Sequence, residues 1–288
     1  MMAGNVTVAV SNGELLITGN NLNNRIEITE VAGSDNSYRT FRVEGKPFDG
    51  AFDSNYLPVA GSSPTTINGG SSAVQMFIST DKVRVLMNAG YDAVSFKGTS
   101  SHQATTAGLA IFGGAGRDSV DVEYMRLVGN NTTLTVNTGA DSEANNERVD
   151  LRYIGPTTGA VNATQNLSVI TGGGADRFYA DHVRLGGNTN VNLGSGGDIL
   201  TAYALTLGAV TVNAGSTGER DVVNVGGLGA TSATVTLGGG NDLLNITSAS
   251  IITNLVTIDG GDGSQDELRG DMSIDAGSSN VSNFELYS

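Results

Sequence analysis

Seven aspartates recur in one local setting. Asp92, Asp118, Asp176, Asp198, Asp221, Asp242 and Asp266 each close a glycine-bearing stretch and open a short alternating apolar run. Carboxylates at one place in a repeat can do two kinds of chemistry. They can bind a hard divalent cation through oxygen, and calcium, with ligands at roughly 2.3 to 2.6 Å, is the fitting ion. They can instead accept N–H bonds from the turn that carries them, with no ion at all. The segment DGGDGSQDE crowds Asp259, Asp262 and Asp266 together and is the strongest metal candidate.

A second carboxylate pair sits three residues past the column, at Asp121 and Asp150, with Arg148 and Arg177 in the neighbouring outward column. Two acids about 5 Å apart on adjacent coils suit a retaining glycosidase. Acids beside arginines are equally what a solvated sheet face looks like. His102 and His182 have no evident partner in sequence, serines lack a nucleophile-elbow context, and there is no Cys. No catalytic residue is assigned, and the chain is expected not to be an enzyme.

The elements that position these residues follow from the spacing. Val85, Ile111, Val169, Val191 and Val235 each stand seven residues before a column Asp, and Gly90, Gly116, Gly174, Gly196 and Gly240 stand two before it. Copies with longer turns run from Val136 to Glu147, Val212 to Asp221 and Val256 to Asp266, and an earlier copy has Asn24 leading into Ile26 and Ile28. From Asp92 onward the turns are 26, 29, 29, 22, 23, 21 and 24 residues apart. Period-2 apolar runs are half-buried strands, and glycine supplies the positive φ of sharp corners. One coil buries little, so coils must stack at about 4.8 Å. The expected fold is all-β, a parallel, right-handed β-solenoid or β-helix. Residues 1–82 should form N-terminal β strands, a cap and a first irregular coil, with about eight Gly/Asp-turn coils over 83–288. NVTVAVSNGELLITG reads as two strands about an Asn12–Gly13 turn, SYRTFRVEG as a further strand, and KPFDGAFDSNYLPVAGSSPTTINGG as loop.

Composition supports a turn-rich repeat: Gly is 41 of 288 residues while Pro is only 4. A net charge of −14 leaves no basic stripe for nucleic acid. No apolar run reaches the length of a membrane span, and MMAGNVTVAV has no signal-peptide layout, so a mature or trimmed form is expected.

IFGGAGRDSVDV, VITGGGADRF, VNLGSGGDIL and VTLGGGNDLLNI resemble the Gly/Asp-rich turns of hemolysin-type (RTX-like) calcium-binding proteins and of bacterial surface solenoids with longer coils. The resemblance covers about residues 83–270 and implies a parallel β-solenoid, an extracellular or cell-surface setting and calcium. It departs from the RTX pattern in having one Asp turn per coil instead of one every nine residues.

The expected role is structural: an extracellular rod that assembles with itself end to end, by addition of the NVTVAV strand, and that touches surface polysaccharide. The alternative is a polysaccharide-active lyase or hydrolase using Asp121 and Asp150. Ile199, Val222 and Leu243, outward and apolar in one column, form a candidate contact stripe.

Overall fold

The computed structural model describes residues 4–31, 39–78, 81–139, 145–248, 251–270 and 278–287. It is a β-solenoid with no helix among these residues. Each coil contributes one strand to each of two long sheets, and ten strands stack in parallel in both, from Glu14–Gly19 to Ser278–Ser282 in the first sheet and from Arg25–Glu30 to Leu286–Tyr287 in the second. Ten rungs at about 4.8 Å make a rod roughly 43 Å long.

The apolar period becomes two stacked columns. In the first sheet Ile17, Val85, Ile111, Val136, Val169, Val191, Val212, Val235, Ile258 and Val281 are paired in unbroken succession. In the second, Val94, Val120, Val149, Phe178, Leu200, Val223, Leu244 and Leu268 form the column expected from their place after the Gly/Asp turn. All eight are buried. The corner between the sheets needs glycine for two reasons, both visible at Gly196. Its φ is 126°, and a Cβ there would collide with the carbonyl of Gly174 one coil earlier.

A third side of each coil is not evident from the apolar alternation alone. The strands Ser119–Leu127, Arg177–Leu185, Ile199–Leu207 and Val222–Ala230 are nine residues long and bend in the middle. Tyr124, Tyr153, His182 and Ala204 occupy the bend at φ of 51° to 56°, with Gly227 at 66° in the next coil. The left-handed residue shifts the alternation by one, so Met125 and Leu127 follow Val120 and Val122 into the core.

Before the first coil, Asn5–Ser11 folds back on Glu14–Gly19 about Asn12 and Gly13, both at positive φ. Its other edge pairs with Thr66–Ile67, and Val6 and Val8 lie in the core. NVTVAV is therefore not the free strand expected; addition to a neighbour by this segment would first require tearing it from its own sheet.

Residues 31–81 are an insertion between the first and second coils, since Glu14–Gly19 and Arg25–Glu30 pair directly with Lys82–Leu86 and Ala93–Lys97. Within the insertion, Arg39–Gly45 and Ala73–Ile78 extend the second sheet antiparallel. The segment expected to be loop contains an irregular hairpin, Pro47–Phe52 with Pro58–Pro64. Its composition disfavours strand, but tertiary contacts override this. Tyr56 at its tip has the guanidinium groups of Arg117 and Arg177 at 4.4 and 4.3 Å from its ring centre, and its hydroxyl accepts from Asn146 at 3.2 Å.

Leu244→Asp places an unpaired charge between Val223 and Leu268 and is expected to cost several kcal/mol. A thermal melt followed by circular dichroism should show a large drop; a parent-like melt would mean the inward register is wrong.

Candidate functional site

The aspartate column is buried along its whole length. The bonding differs from the turn-local capping expected from sequence. Each carboxylate reaches back one coil and accepts the backbone N–H of the preceding column residue. Asn24 donates to Asp92, Asp92 to Asp118, Glu147 to Asp176, Asp176 to Asp198, Asp198 to Asp221, Asp221 to Asp242 and Asp242 to Asp266, at 2.7 to 3.0 Å. A further rung, from Asp266 to Glu285 at 2.7 Å, uses a glutamate that has no Gly/Asp turn before it. The carbonyls of the column residues accept the N–H that begins the next coil's strand, as from Ile199 to Asp176 and Val222 to Asp198. The side chain thus substitutes for a strand carbonyl where the chain rounds the corner, and at these rungs it carries the inter-coil ladder across the turn.

The second oxygens of Asp92, Asp198, Asp242 and Asp266 are buried with no hydrogen-bond partner. Burial pushes Asp92 and Asp221 up to about 7 and Asp198 up to about 8. Asp176, Asp242 and Asp266 are raised for the same reason. Glu147 is raised by burial and by the facing carboxyl of Asp176. Each of these shifts favours the protonated form, which lessens the repulsion that a row of carboxylates implies.

Among the described residues no three metal-ligating side chains converge on one point. Of the strongest metal candidates, Asp266 is a buried rung and Asp262 is exposed. Asp259 accepts from Gly261, Ser282 and Asn283. The structure does not gather the three into one cluster.

The outward pair is in register, with Asp121 opposite Asp150 and Arg148 opposite Arg177. Asp150 has a side chain only 1 % exposed and is gripped by Arg148 and Arg152 from its own strand. Asp121 pairs with Lys97 at 3.2 Å. Both carboxylates are engaged by cations, Asp150 by two guanidinium groups and Asp121 by an ammonium. Around them lies a groove. One basin of about 830 Å³ is lined by Arg148, Asp150, Arg152, Arg177, Tyr179 and the Tyr124–Tyr153 edge. A second, of about 510 Å³, lies over Arg25, Lys46, Lys97 and Asp121 and shares Arg148 with the first. The hairpin tip forms a wall of both, through Asn55 in one and Leu57 and Pro58 in the other.

The bend residues also stack. Tyr124 and Tyr153 are parallel with centres 4.6 Å apart, and Tyr153 and His182 follow at 5.1 Å. Neither histidine is isolated: His182 Nδ1 is 2.7 Å from Asp181, and His102 Nε2 is 3.6 Å from the buried Glu30. The apolar column is in register, Ile199 beside Val222 beside Leu243, but Leu243 is buried, while Ile199 remains 37 % exposed at the groove's edge. No helix among the described residues is long and apolar enough to cross a membrane.

Compared with protein-family models, with curated proteins and with solved structures, the chain matches none.

The carboxyl ladder gives the fold a definite pH dependence. A carboxyl whose pKa is higher in the folded state keeps its proton longer there, so its stabilisation is complete below the unfolded value near 4 and is lost as pH rises through about 7 to 8. The melting temperature should therefore fall between pH 5 and pH 8. Asp198→Asn keeps an acceptor for Asp176 and cannot ionise, so it should raise the melting temperature at pH 8 and change it little at pH 5. Asp198→Ala leaves that N–H unpaired and should cost about 1 to 3 kcal/mol at both.

Proposed function

We propose that this protein is a non-catalytic structural rod of the cell exterior that associates end to end. The observation supporting the reading is the continuity of two ten-strand parallel sheets joined by a carboxyl ladder: the repeated acidic residues are committed to holding coil to coil. In the insertion, Ala73–Ile78 is the last strand of its sheet among the described residues. At the opposite end, Ser278–Ser282 and Leu286–Tyr287 are the last strands of their sheets among the described residues. Such edges are templates for pairing with another copy.

Light scattering and negative-stain imaging test this directly. The parent should form filaments, and Ala73→Lys or Asn280→Lys, each putting a charge on a terminal strand, should leave monomeric rods with a parent-like melt. A parent that stays monomeric at high concentration would refute end-to-end assembly.

On this reading the column is neutralised by protons and does not depend on calcium, the ion that the resemblance implies. Chelator should therefore leave the melting temperature unchanged. A rise with added calcium, following the logarithmic dependence of ligand-linked stability, would assign the ion a place in the turns.

A further inference from the structure

The geometry points to the groove on the outer face of the second sheet as a binding site for a linear acidic polysaccharide, one that carries both carboxylates and free hydroxyls.

The first argument is charge. The chain has 15 basic and 29 acidic residues. Six of the basic residues, Arg25, Lys46, Lys97, Arg148, Arg152 and Arg177, line the two connected basins, against five acids, Glu27, Asp121, Glu123, Asp150 and Asp181. This groove is thus close to neutral on a molecule that is otherwise strongly negative. An anionic ligand finds its cations there and repulsion elsewhere.

The second is preorganisation. Arg148 and Arg152 converge on the buried Asp150, so both forks are fixed before a ligand arrives. The guanidinium of Arg177 has no hydrogen-bond or ion-pair partner among the described residues and rests on the ring of Tyr56. A guanidinium stacked on a ring retains its in-plane donors, and those donors match a carboxylate in a bidentate manner.

The third is the alternation of donors and acceptors. Asp121 Oδ1 is buried without a partner, Glu123 stands in register between Lys97 and Arg152, and Asp181 follows Arg152. A dense polyanion offers such groups nothing, whereas sugar hydroxyls donate to them. Tyr153 is sandwiched between Tyr124 and His182, so its ring faces are occupied and it presents its edge and hydroxyl. Recognition is therefore by polar groups, not by stacking of sugar rings. The lining spans six successive coils, from Arg25 to Thr201, or roughly 24 Å along the rod. That length takes several rings of a polymer.

Calorimetric titration of the full chain with oligogalacturonate tests the site, beside a neutral dextran oligosaccharide and heparin. Oligogalacturonate should bind, the neutral sugar should not, and heparin should bind more weakly than the uronate. Arg177→Gln should weaken binding at least about tenfold. Because Arg177 also steadies the hairpin, Lys97→Gln in the second basin provides an independent arm and should weaken binding too. Arg84→Gln, on the first sheet, should change nothing. Failure of oligogalacturonate to bind, equal binding of the neutral sugar, tighter binding of heparin, or parent-like affinity in both groove variants would overturn the assignment. Filament formation is read separately by scattering, so either result leaves the assembly question intact.

Discussion

A side-chain oxygen taking the place of a main-chain carbonyl is the contact on which this architecture depends. At the sharp corner the N–H of the column residue meets a side-chain oxygen of the next coil where a strand would offer it a main-chain carbonyl. The column carboxyl restores the missing acceptor one coil back, and the buried site that makes it effective also raises its pKa. Two properties follow together. The corner is closed by a side chain of the chain itself, and the stability it confers falls as that carboxyl ionises.

The repeat was legible because its period is local. Inward residues lie two and four positions after each column Asp, and that alternation alone predicts the stack from Val94 to Leu268. What the Asp does was less legible. Its partner lies 21 to 29 residues away, 68 across the insertion, and nothing in the turn distinguishes an oxygen bonded within its own turn from one bonded to the coil before. The bend was concealed because tyrosine, histidine and alanine, not glycine, hold its left-handed backbone. The apolar residues seven and nine positions past the column, such as Val183 and Leu205 with their followers Leu185 and Leu207, were the available signal.

The groove was half visible. Asp121 and Asp150 could be placed on one face by counting, and their register is as counted. Their bonding partners and the wall could not be, since Tyr56 reaches Arg117 and Arg177 from an insertion whose composition speaks for loop. The insertion does two jobs through separate parts. Arg39–Gly45 and Ala73–Ile78 lengthen the second sheet at its N-terminal end, and the hairpin between them makes a concave site on an otherwise flat face.

The ladder also has a direction. In each of these bonds the carboxyl comes from the later coil and serves the earlier one, so a coil joined in this way does not close its own corner. A chain that emerges from a ribosome or a membrane pore with its N-terminus leading must keep its newest coil open until the next arrives, and growth then resembles a ratchet in which each arriving turn locks its predecessor. Fed in the opposite order, each coil would arrive beneath an acceptor already in place, and the same sequence would add rungs without waiting. The order in which the chain is delivered is thus written into which atom donates and which accepts.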